Sequence, residues 1–240
     1  MKIGIFDSGL GGLTVLKTLL NKIPNNEYIY YGDTLNLPYG DKTKKELIKL
    51  AEDDVEFLLS KKVDLIIIAC GTVSSTCLNH LKNKYSIKIY DIISPTIKYL
   101  NESNYQNIGI IATKRTIDSC IFENNLNKNT YKIKTPKFVP LIESNKKEEI
   151  PKTIDEYLSL YKNKLDILVL GCTHYPLIKN EITTYFENKV KILDMSEPFI
   201  DKIPEGTTKS VTIYYSKLTN DLIINTKKIL ESYEITIKEK

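Results

Sequence analysis

The sequence predicts an α/β fold with mainly parallel strands, arranged as two similar halves. Apolar runs of four to six residues alternate with longer stretches of helical period, the pattern that places helices between parallel strands. Lys2–Ser8 is echoed by Asn107–Thr113, and Asp64–Cys70 by Asp166–Cys172, at offsets of 105 and 102 residues. Between them, Tyr28–Tyr31 aligns loosely with Lys137–Pro140 at an offset of 109. Three strand-like segments recurring in order at nearly one spacing indicate a duplication, and a cysteine ends each copy of the last.

In chain order, the apolar runs predict strands over 2–6, 28–31, 64–69, 88–92, 107–112, 137–141, 165–170, 190–194 and 211–215. Helical periodicity places helices over 12–21, 42–60, 74–84, 94–101, 116–126, 146–162, 177–187 and 219–232. No low-complexity linker or block of like charge divides the chain.

Composition narrows the function classes. The 240 residues are 42% hydrophobic and 27% charged, enough for a full core without a disulfide or metal staple. The longest apolar run, Leu65 to Cys70, is far shorter than the roughly 18 residues a membrane span needs. An acid at Asp7 interrupts what would be the apolar stretch of a secretory signal, so a cytoplasmic location is expected. Net charge is only +4, and Arg115 is the sole arginine. Readers of nucleic acid rely on arginine for bidentate base and phosphate contacts, so no nucleic-acid partner is expected. Cys70, Cys77, Cys120 and Cys172 are expected to be reduced thiols.

In parallel α/β sheets, ligands bind at the carboxyl ends of the strands. The residues there are Asp7-Ser8-Gly9, Gly32-Asp33-Thr34, Cys70-Gly71-Thr72, Thr113, Glu143 and Cys172-Thr173-His174. If the halves face each other about a pseudo-twofold axis, Cys70 and Cys172 present thiols across one cleft. Two opposed thiols can take a proton from one face of a carbon and return one to the other, which is what inverting a stereocentre requires. Both cysteines fall at predicted helix starts, where thiol pKa values drop. His174 can orient the Cys172 thiol or relay its proton, and Asp7 can act beside Cys70 as a proton acceptor or pair with a substrate ammonium. Surrounding Gly, Ser and Thr offer N–H and hydroxyl donors for carboxylates.

Four segments then resemble the glutamate racemases, the cofactor-independent two-cysteine enzymes of bacterial cell-wall synthesis. They are Ile5-Phe6-Asp7-Ser8-Gly9-Leu10-Gly11-Gly12-Leu13-Thr14; Tyr31-Gly32-Asp33-Thr34 with Pro38-Tyr39-Gly40; Ile68-Ala69-Cys70-Gly71-Thr72; and Leu170-Gly171-Cys172-Thr173-His174-Tyr175-Pro176-Leu177. The resemblance implies two Rossmann-like or flavodoxin-like domains, 1–94 plus 209–240 and 95–208, with the active site in the cleft between them. It implies interconversion of L- and D-glutamate for peptidoglycan synthesis, no cofactor and no metal, and a homodimer. By position, Cys172 acts on the L isomer and Cys70 on the D isomer, with Asp7 and His174 assisting. Asp7, Ser8, Tyr39, Gly40, Gly71, Thr72, Thr173 and His174 contact substrate, with Glu143 near the second cysteine. One residue departs from the pattern: the family commonly has Asn after the first cysteine, and here it is Gly71. A racemase of aspartate or another amino acid, or a non-catalytic amino-acid-binding relative, is the alternative that this departure allows.

Other readings fit less well. Cys77 and Cys120 are expected to be structural, and His80 a surface or capping residue. Asp7 can also cap a helix. Gly9-Leu10-Gly11-Gly12 suggests a dinucleotide loop, but the third glycine of that fingerprint is replaced by Thr14. Cys172, His174, Cys70 and Asp7 lack the paired spacings of a structural zinc site.

Overall fold

A computed structural model describes residues 1–200 and 203–240. The first half runs β1 (Lys2–Asp7), α1 (Leu13–Lys22), β2 (Glu27–Gly32), α2 (Lys44–Ser60), β3 (Leu65–Ile68), α3 (Gly71–Lys84) and β4 (Lys88–Asp91). After α4 (Ile93–Glu102) the chain forms β5 (Asn107–Ala112), α5 (Lys114–Asp118), β6 (Asn129–Lys134), α6 (Phe138–Glu143), α7 (Ile150–Leu158), β7 (Ile167–Leu170), α8 (Lys179–Tyr185) and β8 (Lys191–Asp194). It closes with β9 (Ser210–Tyr215), α9 (Asn220–Ile229) and β10 (Thr236–Glu239). Two sheets result, ordered β10-β9-β2-β1-β3-β4 and β6-β5-β7-β8. Every pairing is parallel, and β9 returns to the first sheet beside β2.

The order β2-β1-β3-β4 is repeated in β6-β5-β7-β8, with matching registers. Lys2 pairs with Glu27 as Asn107 pairs with Asn129, and Ile3 pairs with Leu65 as Ile108 pairs with Ile167. The polar ties repeat as well. Asp64 Oδ2 accepts the Lys2 N–H at 2.7 Å, and Asp166 Oδ2 accepts the Asn107 N–H at 2.8 Å.

Alternating side chains divide the core into layers. Ile3, Ile5 and Ile67 from one sheet and Ile108, Ile110 and Val169 from the other belong to a single core shared by the halves. Phe6, Ile66 and Ile68 face α2 and α3 in a second layer, while Ile111, Leu168 and Leu170 face α7 and α8 in a third. With both faces covered, the inner strands read as unbroken apolar runs. Helix α2 begins at a capping box, in which Thr43 and Glu46 each bond the other's backbone N–H.

Three sequence expectations need correction. The run 137–141 is not a strand; Phe138–Glu143 is helix α6, so the counterpart of β2 is Asn129–Lys134. The helix expected over 116–126 is the short α5, followed by turns that include Cys120 at a φ of 55°. The helix expected over 146–162 is α7 with a 3₁₀ turn at each end, and Pro151 lies in its first turn. Strand β10 was not expected at all.

Candidate active site

The carboxyl ends of β1, β3, β5 and β7 converge on a small cavity of about 70 Å³. Cys70 and Cys172 both line it, each carried just past the end of an equivalent strand. Ser8, Tyr39, Gly40, Gly71, Thr72, Thr173 and His174 line it too. Two expected site residues do not. Asp7 is fully buried behind Ser8, and Glu143 touches His174 rather than the cavity.

Cys70 is the N-cap residue of α3, and its side chain makes no capping hydrogen bond, so the N–H groups of the first turn stay available at the site. Burial nevertheless pushes its pKa well above that of a free thiol, and the charge of Asp7 adds to the effect. Cys172 has a different setting. Here the sequence expectation of a helix start is replaced by a 3₁₀ turn, Tyr175–Ile178, and α8 begins only at Lys179. The Cys172 sulfur lies 3.7 Å from His174 Nδ1, and His174 Nε2 lies 2.6 Å from Glu143 Oε1. Burial alone would lower the His174 pKa, but the hydrogen bonds to Cys172 and Glu143 outweigh it. They hold the imidazole well above its usual 6.5.

Asp7 ties the two halves together. Its Oδ1 accepts the Gly9 N–H at 2.9 Å, and its Oδ2 accepts the Thr173 hydroxyl at 3.1 Å. Burial raises its pKa above 3.8, opposed by His174 and by hydrogen bonds from Gly9, Gly12 and Thr173. The loop after β1 can come this close only because Gly11 and Gly12 lack side chains. A Cβ on Gly12 would meet Asp7 Cβ at 2.5 Å, and one on Gly11 would meet His174 Nδ1 at 2.5 Å. Thr14 in α1 completes the junction by donating to the Thr173 carbonyl at 3.0 Å.

On the opposite side, Thr72 and Thr113 share a hydrogen bond of 3.0 Å, and Gly40 packs against Thr113. Arg115 Nε donates to the Lys42 carbonyl at 3.0 Å, a second tie across the halves. Lys114 is the one lysine among the residues lining the cavity. Sequence reasoning placed Thr113 among the strand-end residues but did not select it or Lys114. Their signal was the duplication, since Thr113 stands where Ser8 stands in the first copy.

The remaining candidates fall elsewhere. His80 is exposed and bonds Glu52 at 2.6 Å, Cys77 is fully buried in the core, and Cys120 is half-buried in a turn. Among the described residues, no group of three or more His, Cys, Asp or Glu is arranged to hold a metal ion. No helix among them is long and apolar enough to cross a membrane.

Comparison with known proteins adds an independent finding. The sequence profile of the Asp/Glu/hydantoin racemases matches residues 33–200. The chain is 38% identical to the glutamate racemase of Aquifex aeolicus, over 92% of this chain and 91% of that one. It is 40% identical to the glutamate racemase of Fusobacterium nucleatum, over 86% of this chain and 81% of that one. Among solved structures, the glutamate racemase of Francisella tularensis in complex with D-glutamate superposes with a TM-score of 0.89 at 28% identity, covering 100% of this chain and 97% of that one.

Proposed function

The chain belongs to the Asp/Glu/hydantoin racemase family, and on that premise we propose that it interconverts L- and D-glutamate by proton transfer between Cys70 and Cys172. The observation that carries this is the placement of the two thiols, at equivalent strand ends on one cavity. Each belongs to a different half, so a substrate held between the halves offers one face of its α carbon to each sulfur.

The two thiols have different surroundings: His174 Nδ1 lies 3.7 Å from the Cys172 sulfur, while burial favours the neutral thiol at Cys70. From L-glutamate, the Cys172 thiolate takes the α proton and Cys70 delivers its own to the opposite face. The sulfurs then hold exchanged protonation states, and reaction from the D isomer restores them. Glu143 holds His174 in place, and Asp7 holds Thr173 and the Gly9 loop. Backbone N–H groups after Cys70, with the hydroxyls of Ser8 and Thr72, supply donors for the substrate carboxylate and for the charge that develops on it as the proton leaves. Ser8, Tyr39, Gly40 and Gly71 complete the substrate wall. A substrate seated between the halves displaces water from the thiolate and is aligned with both sulfurs.

The same proposal divides the chain into domains 1–94 plus 209–240 and 95–208, working as a cytoplasmic homodimer that supplies D-glutamate for peptidoglycan. Gly71, where the family commonly has Asn, favours a comparison with aspartate. The purified protein is expected to bring L-glutamate and D-glutamate each to an equal mixture, followed by circular dichroism, and to turn over aspartate much more slowly. Turnover of aspartate in preference would shift the substrate assignment, and binding of glutamate with no turnover would make the protein a non-catalytic relative.

A further inference from the structure

Helix α2 carries an anomaly in its apolar stripe. Leu47, Ala51, Asp54 and Leu58 follow one another at helical spacing and are all buried, so the pattern calls for an apolar residue where Asp54 stands. Its carboxyl meets the hydroxyl of Tyr39, which forms part of the cavity wall. The Tyr39 oxygen lies 2.7 Å from Asp33 Oδ2 and 3.2 Å from Asp54 Oδ2. A phenol has one hydrogen and can donate it to only one of two carboxylates.

The neighbours decide which one. Asn36 Nδ2 donates to both oxygens of Asp33, at 2.9 and 3.1 Å, so Asp33 is surrounded by donors and acts purely as an acceptor. Among the described residues, the Asp54 carboxyl has Tyr39 as its one hydrogen-bond partner. Two ionised carboxylates sharing one hydroxyl in a buried site would repel at full strength. We infer that Asp54 is a positioning residue that carries a proton in the working protein and donates it to Tyr39, so that the chain Asp54 to Tyr39 to Asp33 fixes the wall formed by Tyr39 and Gly40.

The electrostatic surroundings agree. Burial raises the Asp54 pKa well above 3.8 and the charge of Asp33 adds to this, outweighing the Tyr39 hydrogen bond and Lys240. The titratable and charged groups facing Asp54 are Asp33 and Tyr39 from the loop after β2, Tyr31 from β2, Cys77 from α3, Asp53 from its own helix and Lys240. Lys240, the one cation among them, donates to Tyr31 at 3.3 Å, and no ion pair joins it to Asp54 among the described residues.

The catalytic consequence rests on the racemase proposal; the proton itself does not. Infrared difference spectra of wild type minus Asp54→Asn at neutral pH should contain the carbonyl band of a protonated carboxyl. In glutamate kinetics, Asp54→Asn should keep KM within about threefold, since its amide can donate to Tyr39 in the same way, whereas Asp54→Leu should raise KM by roughly tenfold, the scale of one lost hydrogen bond. Wild-type KM should rise at alkaline pH along a limb that the Asn variant lacks. Absence of the infrared band, equal KM values in the Asn and Leu variants, or an unchanged alkaline limb in the Asn variant would each overturn the inference. If glutamate is not turned over, the racemase proposal fails while the infrared band still decides the protonation of Asp54.

Discussion

His174 shows how one residue is set by its neighbours. It is buried, bonded to Cys172 on one nitrogen and to Glu143 on the other, and so keeps its proton where an isolated buried imidazole would lose it. Replacing it with Gln removes the charge but keeps a hydrogen-bonding side chain, and kcat/KM should fall roughly 10²-fold, the usual weight of a positioned acid or base. The enantiomers have equal free energies in water, so the loss must be the same from L- and D-glutamate. Equal activity in wild type and His174→Gln would remove His174 from the mechanism. Most of the site was legible at this scale, because Cys70, Cys172, Ser8, Thr72, Thr173 and His174 follow directly after strand ends. Asp54 was not selected: helical spacing places it in the apolar stripe of α2 but does not reveal that its carboxyl meets Tyr39.

At the scale of elements, the junction of α3 with the end of β7 fixes the separation of the halves. A Cβ on Gly71 would lie 2.7 Å from the Gly171 carbonyl oxygen, a backbone atom with little room to move. Gly71→Ala should therefore destabilise the protein by about 1–3 kcal/mol and raise KM, as urea unfolding and kinetics would show; an Ala variant as stable and active as wild type would contradict this close packing. The glycine that replaces the family's Asn is thus explained by packing in this chain. Elements buried on both faces were readable as apolar runs, and so were the edge strands β4 and β8, whereas the edge strands β6 and β10 were not. Asn129–Lys134 has a single buried residue, Ile133, and β10 has none, so neither shows a run. The run 137–141 reads as a strand because its helix is too short to display a period, although Pro140 within it argues against a strand.

At the scale of the whole molecule, duplication brings two thiols to one cavity and buries several titratable groups with it. Asp7, Asp54, Cys70 and His174 all have raised pKa values. Each binds its proton more tightly folded than unfolded, so its contribution to stability is complete below the unfolded pKa and is lost as pH rises through the folded one. For His174 that window opens above 6.5, and Tm should decline as pH rises from there, less steeply in His174→Gln; parallel Tm profiles would contradict this. The central claim concerns the two sulfurs, and α-proton exchange tests it most directly. Incubated in deuterated water and followed by NMR, the wild type should form each product enantiomer with deuterium at its α carbon. Cys70→Ser and Cys172→Ser should each lose racemisation by roughly 10³-fold. Racemisation at wild-type rate in either variant would show that one thiol is dispensable and would contradict the two-thiol mechanism.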